Sequence, residues 1–264
     1  MSEQLENQDL LCTINSSLFT ITLNNPDKHN AFDDKIVAAL HLALDNAIAN
    51  PVVQVIVINA LGPNFCAGAD IAWMQKIAQC SEQDNLADAL KLAQLMHTLY
   101  HCPKPTVAVI QGSAFGGGAG LVAACDIAIA AYSARFCFSE VTLGLIPAVI
   151  SPYVINAIGE RAAKWLFVSA DIIDAKKAYQ LQLIHYCVMD EQLKQFASDY
   201  THKLTTHAPN AMLDCKALVN TISGEVIDEQ LSLKTAQLIA KKRRSKEGQQ
   251  GLQAFLNKKI PTWI

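Results

Sequence analysis

Gly112-Ser-Ala-Phe-Gly-Gly-Gly-Ala-Gly120 is the stretch on which the reading of this chain turns. Gly116, Gly117 and Gly118 follow the apolar run Thr106-Val-Ala-Val-Ile110 and open a small-residue run that reaches Cys125, so the order is strand, bare loop, helix. Glycine lets the main chain come close to a ligand, and the first amides of a helix lack internal partners and sit at the positive end of its dipole. The stretch predicts a place where backbone N–H groups meet an electron-rich atom. The same glycines would also serve tight packing of a helix on a sheet, and taken alone the stretch leaves both readings open.

Outward from it, the same order occurs a second time. Residues 52–60 form an almost unbroken β-branched run, as in a strand buried on both faces, and Leu61-Gly-Pro-Asn-Phe-Cys-Ala-Gly-Ala-Asp70 follows. Asp70 is placed to support the first turn of a short helix over 71–76. Upstream, residues 12–23 alternate around Asn15-Ser16-Ser17, which predicts a hairpin. Ile36, Leu40, Leu44 and Ile48 then recur at helical spacing, with Asp33 and Asp34 at the start and Pro51 at the close. Residues 83–100 read as a longer helix with Leu86, Leu90, Ala93, His97 and Tyr100 near one stripe, ended by Pro103 and Pro105. Beyond the glycine loop come a helix to about Cys125, a strand over 126–131 and the apolar run Phe136-Cys-Phe138. Helical segments at 157–165 and 174–181 and a strand at 184–189 follow. From Glu191 the pattern is helix only, over 191–207, 210–222, 228–244 and 247–259. The fold class is therefore α/β, with a core domain over 1–190 and a helical region over 191–264, whose amphipathic faces need the core or a neighbouring subunit to cover them.

A chain of 264 residues, 51% hydrophobic, can bury a sizeable core. The net charge of -3 gives no global reason to expect nucleic acid or an anionic membrane as partner. The eight cysteines, at 12, 66, 80, 102, 125, 137, 187 and 215, show no zinc-ligand spacing and are predicted reduced and buried. The opening Met-Ser-Glu-Gln-Leu-Glu-Asn-Gln-Asp is acidic and polar, unlike a presequence, and no apolar run approaches the roughly 20 residues that span a bilayer. The expected location is the cytoplasm.

Among chemistry-bearing residues, Glu140 stands out, because Phe136, Phe138, Val141, Leu143, Leu145 and Ile146 surround it in sequence. An apolar setting raises a carboxyl's pKa and lets it hold a proton near neutrality. A glutamate at a strand end pointing to solvent is the plainer alternative. Gly118-Ala-Gly-Leu-Val-Ala123 fits G-x-G-x-x-A, but residues 111–115 intervene after the strand and the match begins inside the predicted helix, which argues against a dinucleotide site. No G-x-S-x-G elbow and no H-E-x-x-H metal motif is present; His97 and His101 lie four apart but next to Cys102 and Pro103, with no nearby carboxylate, so packing is expected and no metal. Lys241-Lys-Arg-Arg-Ser-Lys246 reads as a solvated helix end, with contact to RNA or phosphate as the sharper alternative.

Taken together, Phe65-Cys-Ala-Gly-Ala-Asp-Ile71, Gln111-Gly-Ser-Ala-Phe-Gly-Gly-Gly118, Cys125-Asp-Ile-Ala-Ile-Ala130, Ser139-Glu-Val-Thr-Leu-Gly-Leu-Ile-Pro147 and Ser245-Lys-Glu-Gly-Gln-Gln-Gly-Leu-Gln-Ala-Phe255 resemble, in order and spacing, the crotonase (enoyl-CoA hydratase/isomerase) superfamily. The resemblance implies a crotonase (ClpP-like) spiral of repeated strand-strand-helix units, a helical C-terminal trimerisation region, and trimers or hexamers built as dimers of trimers. It implies an acyl-CoA thioester as substrate, with CoA as part of that substrate and no separate cofactor. By position it places an oxyanion hole at the N–H groups of Ala69 and Gly117 and the acid/base at Glu140. It sets Lys28, Ala67, Asp70 and Ile71 near CoA and Gly116 and Pro147 along the acyl channel. Phe255 and Lys258 would reach CoA from the C-terminal region, often of a neighbouring subunit.

One departure bears on the reaction. The family's best-known hydratases carry two glutamates, and the first would fall at Gly120. The resemblance then implies either hydration with Glu140 handling both water and proton, or double-bond isomerisation by a single base. A non-catalytic member that binds a CoA thioester or RNA is the third possibility. Residues 140–163 further resemble bacterial hydratases of branched or carboxylated enoyl-CoA esters of the methylglutaconyl-CoA type, which belong to leucine breakdown, so hydration is the expectation.

Overall fold

The computed structural model describes residues 9–261 and 263, so most of the polar N-terminal stretch read above lies outside the described residues. The hairpin forms as β1 (Leu10–Asn15) and β2 (Leu18–Leu23) around Ser16, which carries a φ of 54°. β2 begins a run of parallel pairings, so that β3 (Val55–Ala60), β4 (Thr106–Ile110), β6 (Ile127–Ala131) and β9 (Tyr186–Val188) complete a six-stranded sheet in the order β1-β2-β3-β4-β6-β9. A second, three-stranded sheet joins β5 (Ser113–Phe115), β7 (Arg135–Cys137) and β8 (Ile173–Asp174). Each turn of the chain thus supplies a strand to the large sheet, a strand or bridge to the small one, and then a helix: β4, β5 and α4 (Gly117–Ala124), then β6, β7 and α5 (Ser151–Ser169). This is the α/β spiral of strand-strand-helix units expected from the sequence.

Period-two patterning decides what the central strands face. Ile56, Ile58, Ala108, Ile110, Ala128 and Ala130 belong to the larger core, with α1 (Asp34–Ala49), α3 (Glu82–Tyr100) and α4. Val55, Val57, Val107, Val109, Ile129 and Ala131 point the other way, under Leu193 and Ala197 of α7 (Leu193–Thr205). Burial on both faces is why these strands read as continuous apolar runs.

Several expectations need correcting. Residues 111–115 are not wholly a bare loop, since β5 pairs in parallel with β7 there. A strand of three residues is too short to show a period. Leu86 and Leu90 of α3 are exposed, whereas Leu95, Met96 and Leu99 are buried, so the buried stripe is rotated from the predicted one. Cys66, Cys102, Cys125 and Cys137 are buried, but Cys80 and Cys215 are exposed; all eight cysteines are free. Within the C-terminal region, α7 packs on the sheet, whereas α8 (Pro209–Ile222), α9 (Glu229–Arg244) and α10 (Lys246–Leu256) contain no buried residue. No described helix is long and apolar enough to cross a membrane.

Candidate active site

The two glycine loops meet. Cys66 N–H donates to the Ser113 carbonyl at 3.0 Å, and Phe115 N–H donates to the Cys66 carbonyl at 2.9 Å, so the loop after β3 is stitched to β5. Gly68 stands against Phe115 with a φ of 98°, and a Cβ there would come within 3.1 Å of the Phe115 carbonyl oxygen. On its other side the first loop is pinned to Phe32, whose N–H donates to the Gly68 carbonyl and whose carbonyl accepts from Asp70 N–H, both at 2.7 Å. Ala69 lies between these two bonds, and its own N–H has no hydrogen-bond partner among the described residues. Gly117, the first residue of α4, also carries an N–H without such a partner, at the positive end of the helix. Two free amides are thereby held on adjacent rigid loops.

Glu140 completes the group. It heads a 3-10 turn, Glu140–Leu143, closed by Leu145 N–H donating to the Glu140 carbonyl at 3.0 Å. Its Oε1 lies 3.1 Å from where a Cβ at Gly116 would stand, and Gly116 has a φ of 48°, so only glycine suits this position. Glu140 Oε2 is buried and has no hydrogen-bond partner among the described residues. Burial drives the carboxyl's pKa above the ordinary glutamate range, opposed in part by a hydrogen bond from its own backbone. Solvent exposure, the plainer alternative for this glutamate, is not what the fold provides. The apolar company is divided: Phe136 and Phe138 are in the core, while Val141, Leu143, Leu145 and Ile146 are partly exposed, the last three along a cavity.

That cavity, of about 610 Å³, is lined by Ala69, Gly116, Gly117 and Glu140 together with Ala67, Ile71 and Pro147. Trp73, Met74 and Ile77 of α2 (Ile71–Ile77) and Leu92 of α3 form much of its apolar wall. Asp70 fixes the start of α2 by accepting Trp73 N–H at 3.0 Å, and it pairs with Lys28 Nζ at 2.8 Å. The Lys28 ammonium, with the Trp73 amide, holds the Asp70 carboxyl below its usual range. At Gly120 the geometry is different. A Cβ there would lie 2.3 Å from Ile150 Cγ2 and 3.4 Å from Met96 Cε, so the place of a first glutamate is filled by an isoleucine that itself lines the cavity.

The arrangement can do a recognisable kind of chemistry, in which two preorganised donors stabilise negative charge on an oxygen while one carboxyl moves a proton. A model of the enoyl-CoA hydratase/isomerase family matches residues 13–264. The chain belongs to this family. A crystal structure from Legionella pneumophila subsp. pneumophila str. Philadelphia 1, provisionally designated an enoyl-CoA hydratase/isomerase (crotonase), is 53% identical, covers 97% of this chain and 99% of its own, and has a TM-score of 0.95. An enoyl-CoA hydratase from Shewanella pealeana ATCC 700345 is 43% identical, covers 98% of this chain and 97% of its own, and has a TM-score of 0.94. A Thermus thermophilus protein provisionally designated an enoyl-CoA hydratase is 31% identical over 91% of this chain and 95% of its own length.

Among the family positions named from sequence, the cavity lining brings Ala67, Ala69, Ile71, Gly116, Gly117, Glu140 and Pro147 together; Asp70 and Lys28, paired with each other, stand outside that lining. Phe255, 82% exposed, and Lys258 are not part of the cavity lining formed by this chain. The basic run is partly neutralised, since Lys242 pairs with Asp214 at 2.6 Å and with Glu247 at 3.4 Å. Sequence reasoning missed the α2–α3 wall and the Ile150 plug. The wall left a signal, Asn85, Asp88, Ala89 and Leu92 at helical spacing, but a stripe of mixed polarity does not announce itself as a face. The plug left none, because 30 residues separate Gly120 from Ile150.

Proposed function

We propose that this protein is an enoyl-CoA hydratase, adding water across the C2=C3 double bond of methylglutaconyl-CoA or a similar branched enoyl-CoA. The observation that carries the reading is Glu140 Oε2, buried without a partner among the described residues and lining the same cavity as the free amides of Ala69 and Gly117. In this mechanism the thioester carbonyl oxygen accepts both amide N–H groups. The Glu140 carboxylate takes a proton from water as the hydroxyl bonds to C3, and the C2=C3 electron pair shifts into an enolate on the thioester oxygen. The enolate collapses and C2 takes the proton back from the same carboxyl, so the carboxylate is regenerated. Ala67, Asp70, Ile71 and Lys28 belong to the CoA side, Gly116 and Pro147 to the acyl channel, and Phe255 and Lys258 to a CoA contact from a neighbouring subunit. The unburied helices α8–α10 fit a trimer or a dimer of trimers, and a cytoplasmic location fits an enzyme whose substrate is a CoA ester. CoA enters as part of the substrate, and no other cofactor is required.

A second reading, double-bond isomerisation, is favoured by one observation: the Gly120 position is closed by Ile150, leaving Glu140 as a single base. Incubation with a panel of 2-enoyl-CoA and 3-enoyl-CoA esters, including methylglutaconyl-CoA, with products separated by chromatography and identified by mass, distinguishes the two. A 3-hydroxyacyl-CoA, heavier by one water, is expected; consumption of a 3-enoyl ester without change of mass overturns hydration in favour of isomerisation.

A further inference from the structure

We propose that Lys91 is a specificity residue whose ammonium pairs with a carboxylate at the far end of the acyl group. The preferred substrates are then unsaturated dicarboxylic acids joined to CoA through one carboxyl. The inference rests on the acyl-CoA reading above and assigns the substrate class to a named side chain.

Among the cavity-lining residues Lys91 is the one cation, and it has no ion pair or hydrogen bond among the described residues. Lys91 is itself exposed, and it lines the cavity together with the apolar residues Trp73, Met74, Ile77 and Leu92. A neutral acyl tail would desolvate that ammonium and return nothing, whereas a carboxylate supplies charge-assisted hydrogen bonds. The position on α3 fits: Asp88, Lys91 and Leu92, at i, i+3 and i+4, share the face of the helix that lines the cavity. The other charges on the lining are acidic. Asp33 is engaged by Lys35 N–H and Ile36 N–H at the start of α1, Asp34 follows it, and Glu140 belongs to the catalytic group. Asp88 lies one turn before Lys91 on the same helix and is not ion-paired with it. Asp88 therefore opposes an anionic tail, and Lys91 must supply the attraction.

The test is calorimetric titration of the full chain with glutaryl-CoA and valeryl-CoA, saturated five-carbon esters that differ in a terminal carboxylate and undergo no hydration. Glutaryl-CoA is expected to bind the wild type more tightly, by a margin that shrinks with added salt. In Lys91→Met the glutaryl-to-valeryl affinity ratio is expected to fall about 10- to 100-fold, the range for a hydrogen bond to a charged group. It falls further in Lys91→Glu. In Asp88→Asn it rises severalfold, an opposite sign that a general loss of structure would not produce. If both esters bind and Lys91→Met leaves the ratio unchanged, or if valeryl-CoA binds the wild type more tightly, the Lys91 assignment falls and the acyl-CoA reading stands. If neither ester binds, the acyl-CoA reading itself falls and takes this inference with it.

Discussion

At Glu140 the fold drives a carboxylate into the cavity wall and leaves one oxygen buried and unpaired, whereas at Gly120 it closes the wall with the apolar side chain of Ile150. Both stretches follow from neighbouring turns of the same spiral, one at the start of the 3-10 turn after β7 and one inside α4. The first keeps a costly group that nothing in the fold satisfies, as expected of chemistry, since a buried polar atom without a partner costs about 1–3 kcal/mol. The second uses its space for packing. Gly120 is thus packed against Ile150 where α4 meets α5, and on the proposed reading the chemistry of this wall falls on one carboxyl.

The strongest way to break that contrast is Glu140→Gln, which keeps size and hydrogen-bonding capacity but removes the proton carrier. Turnover, followed by loss of the enoyl-thioester ultraviolet absorbance, is expected to fall about 100- to 10,000-fold. Undiminished turnover would show that Glu140 is not the acid/base. The same variant reads out the cost of burial. Because burial raises the folded-state pKa of Glu140, the protonated form is the one the fold favours. The associated stability is fully present below the ordinary glutamate pKa and is lost as pH rises through the raised, folded-state value. Glu140→Gln carries no such loss, so its thermal midpoint should rise relative to wild type across that window, and a constant difference would contradict the buried placement.

Gly120→Ala sharpens the other side. Alanine gains about 1 kcal/mol of helix propensity over glycine, but its Cβ would stand 2.3 and 2.8 Å from Ile150 atoms, well inside contact distance. Overpacking of this kind costs about 1–3 kcal/mol, so the expected net effect is destabilisation. Ile150→Ala alone leaves a cavity and costs about 2–5 kcal/mol. In the Ile150→Ala background the nearest atom, Cγ2, is gone but the Cβ at 2.8 Å remains, so Gly120→Ala should cost less than in the wild type without becoming neutral. Additivity of the two changes in denaturant unfolding would mean that the two side chains do not compete for one space.

The contrast also marks what could be read beforehand. Strands buried on both faces, helices with caps, and two glycine loops after strands are local patterns, and 52–60, 71–76 and the glycine run all announced themselves. Glu140 was legible because its apolar neighbours in sequence include Phe136 and Phe138, which the core retains. The resemblance to a family supplied Ala69 and Gly117, and the two loops explain why backbone atoms at those positions are free. Ile150, Met96 and Lys91 were not legible, because each meets the site across a separation in sequence that only packing sets. The rotated stripe of α3 failed for a related reason: Leu86 and Leu90 satisfy a helical period, but the periodicity alone does not say which of two apolar faces meets the core.

The smallest expected effect concerns how the wall between these two positions is held in place. Asp70 accepts the Trp73 N–H and so caps the helix that carries Ile71, Trp73, Met74 and Ile77 to the cavity. Asp70→Ala loses that cap and is expected to cost about 1 kcal/mol, within a range of about 0.5–2. Asn is as good a cap as Asp, so Asp70→Asn should keep most of the stability while losing the ion pair to the exposed Lys28. Because Lys28 and the amide lower the Asp70 pKa, its contribution is present above the ordinary aspartate range and fades as pH falls through the folded-state value. The advantage of wild type over Asp70→Asn should therefore narrow in acid, whereas at Glu140 the wild type is the less stable of the two and its deficit opens as pH rises. In steady-state kinetics Asp70→Ala should raise KM more than it lowers kcat, since the helix it fixes lines the binding cavity while Glu140 stands on a separate turn. An equal loss confined to kcat would place Asp70 with the chemistry instead.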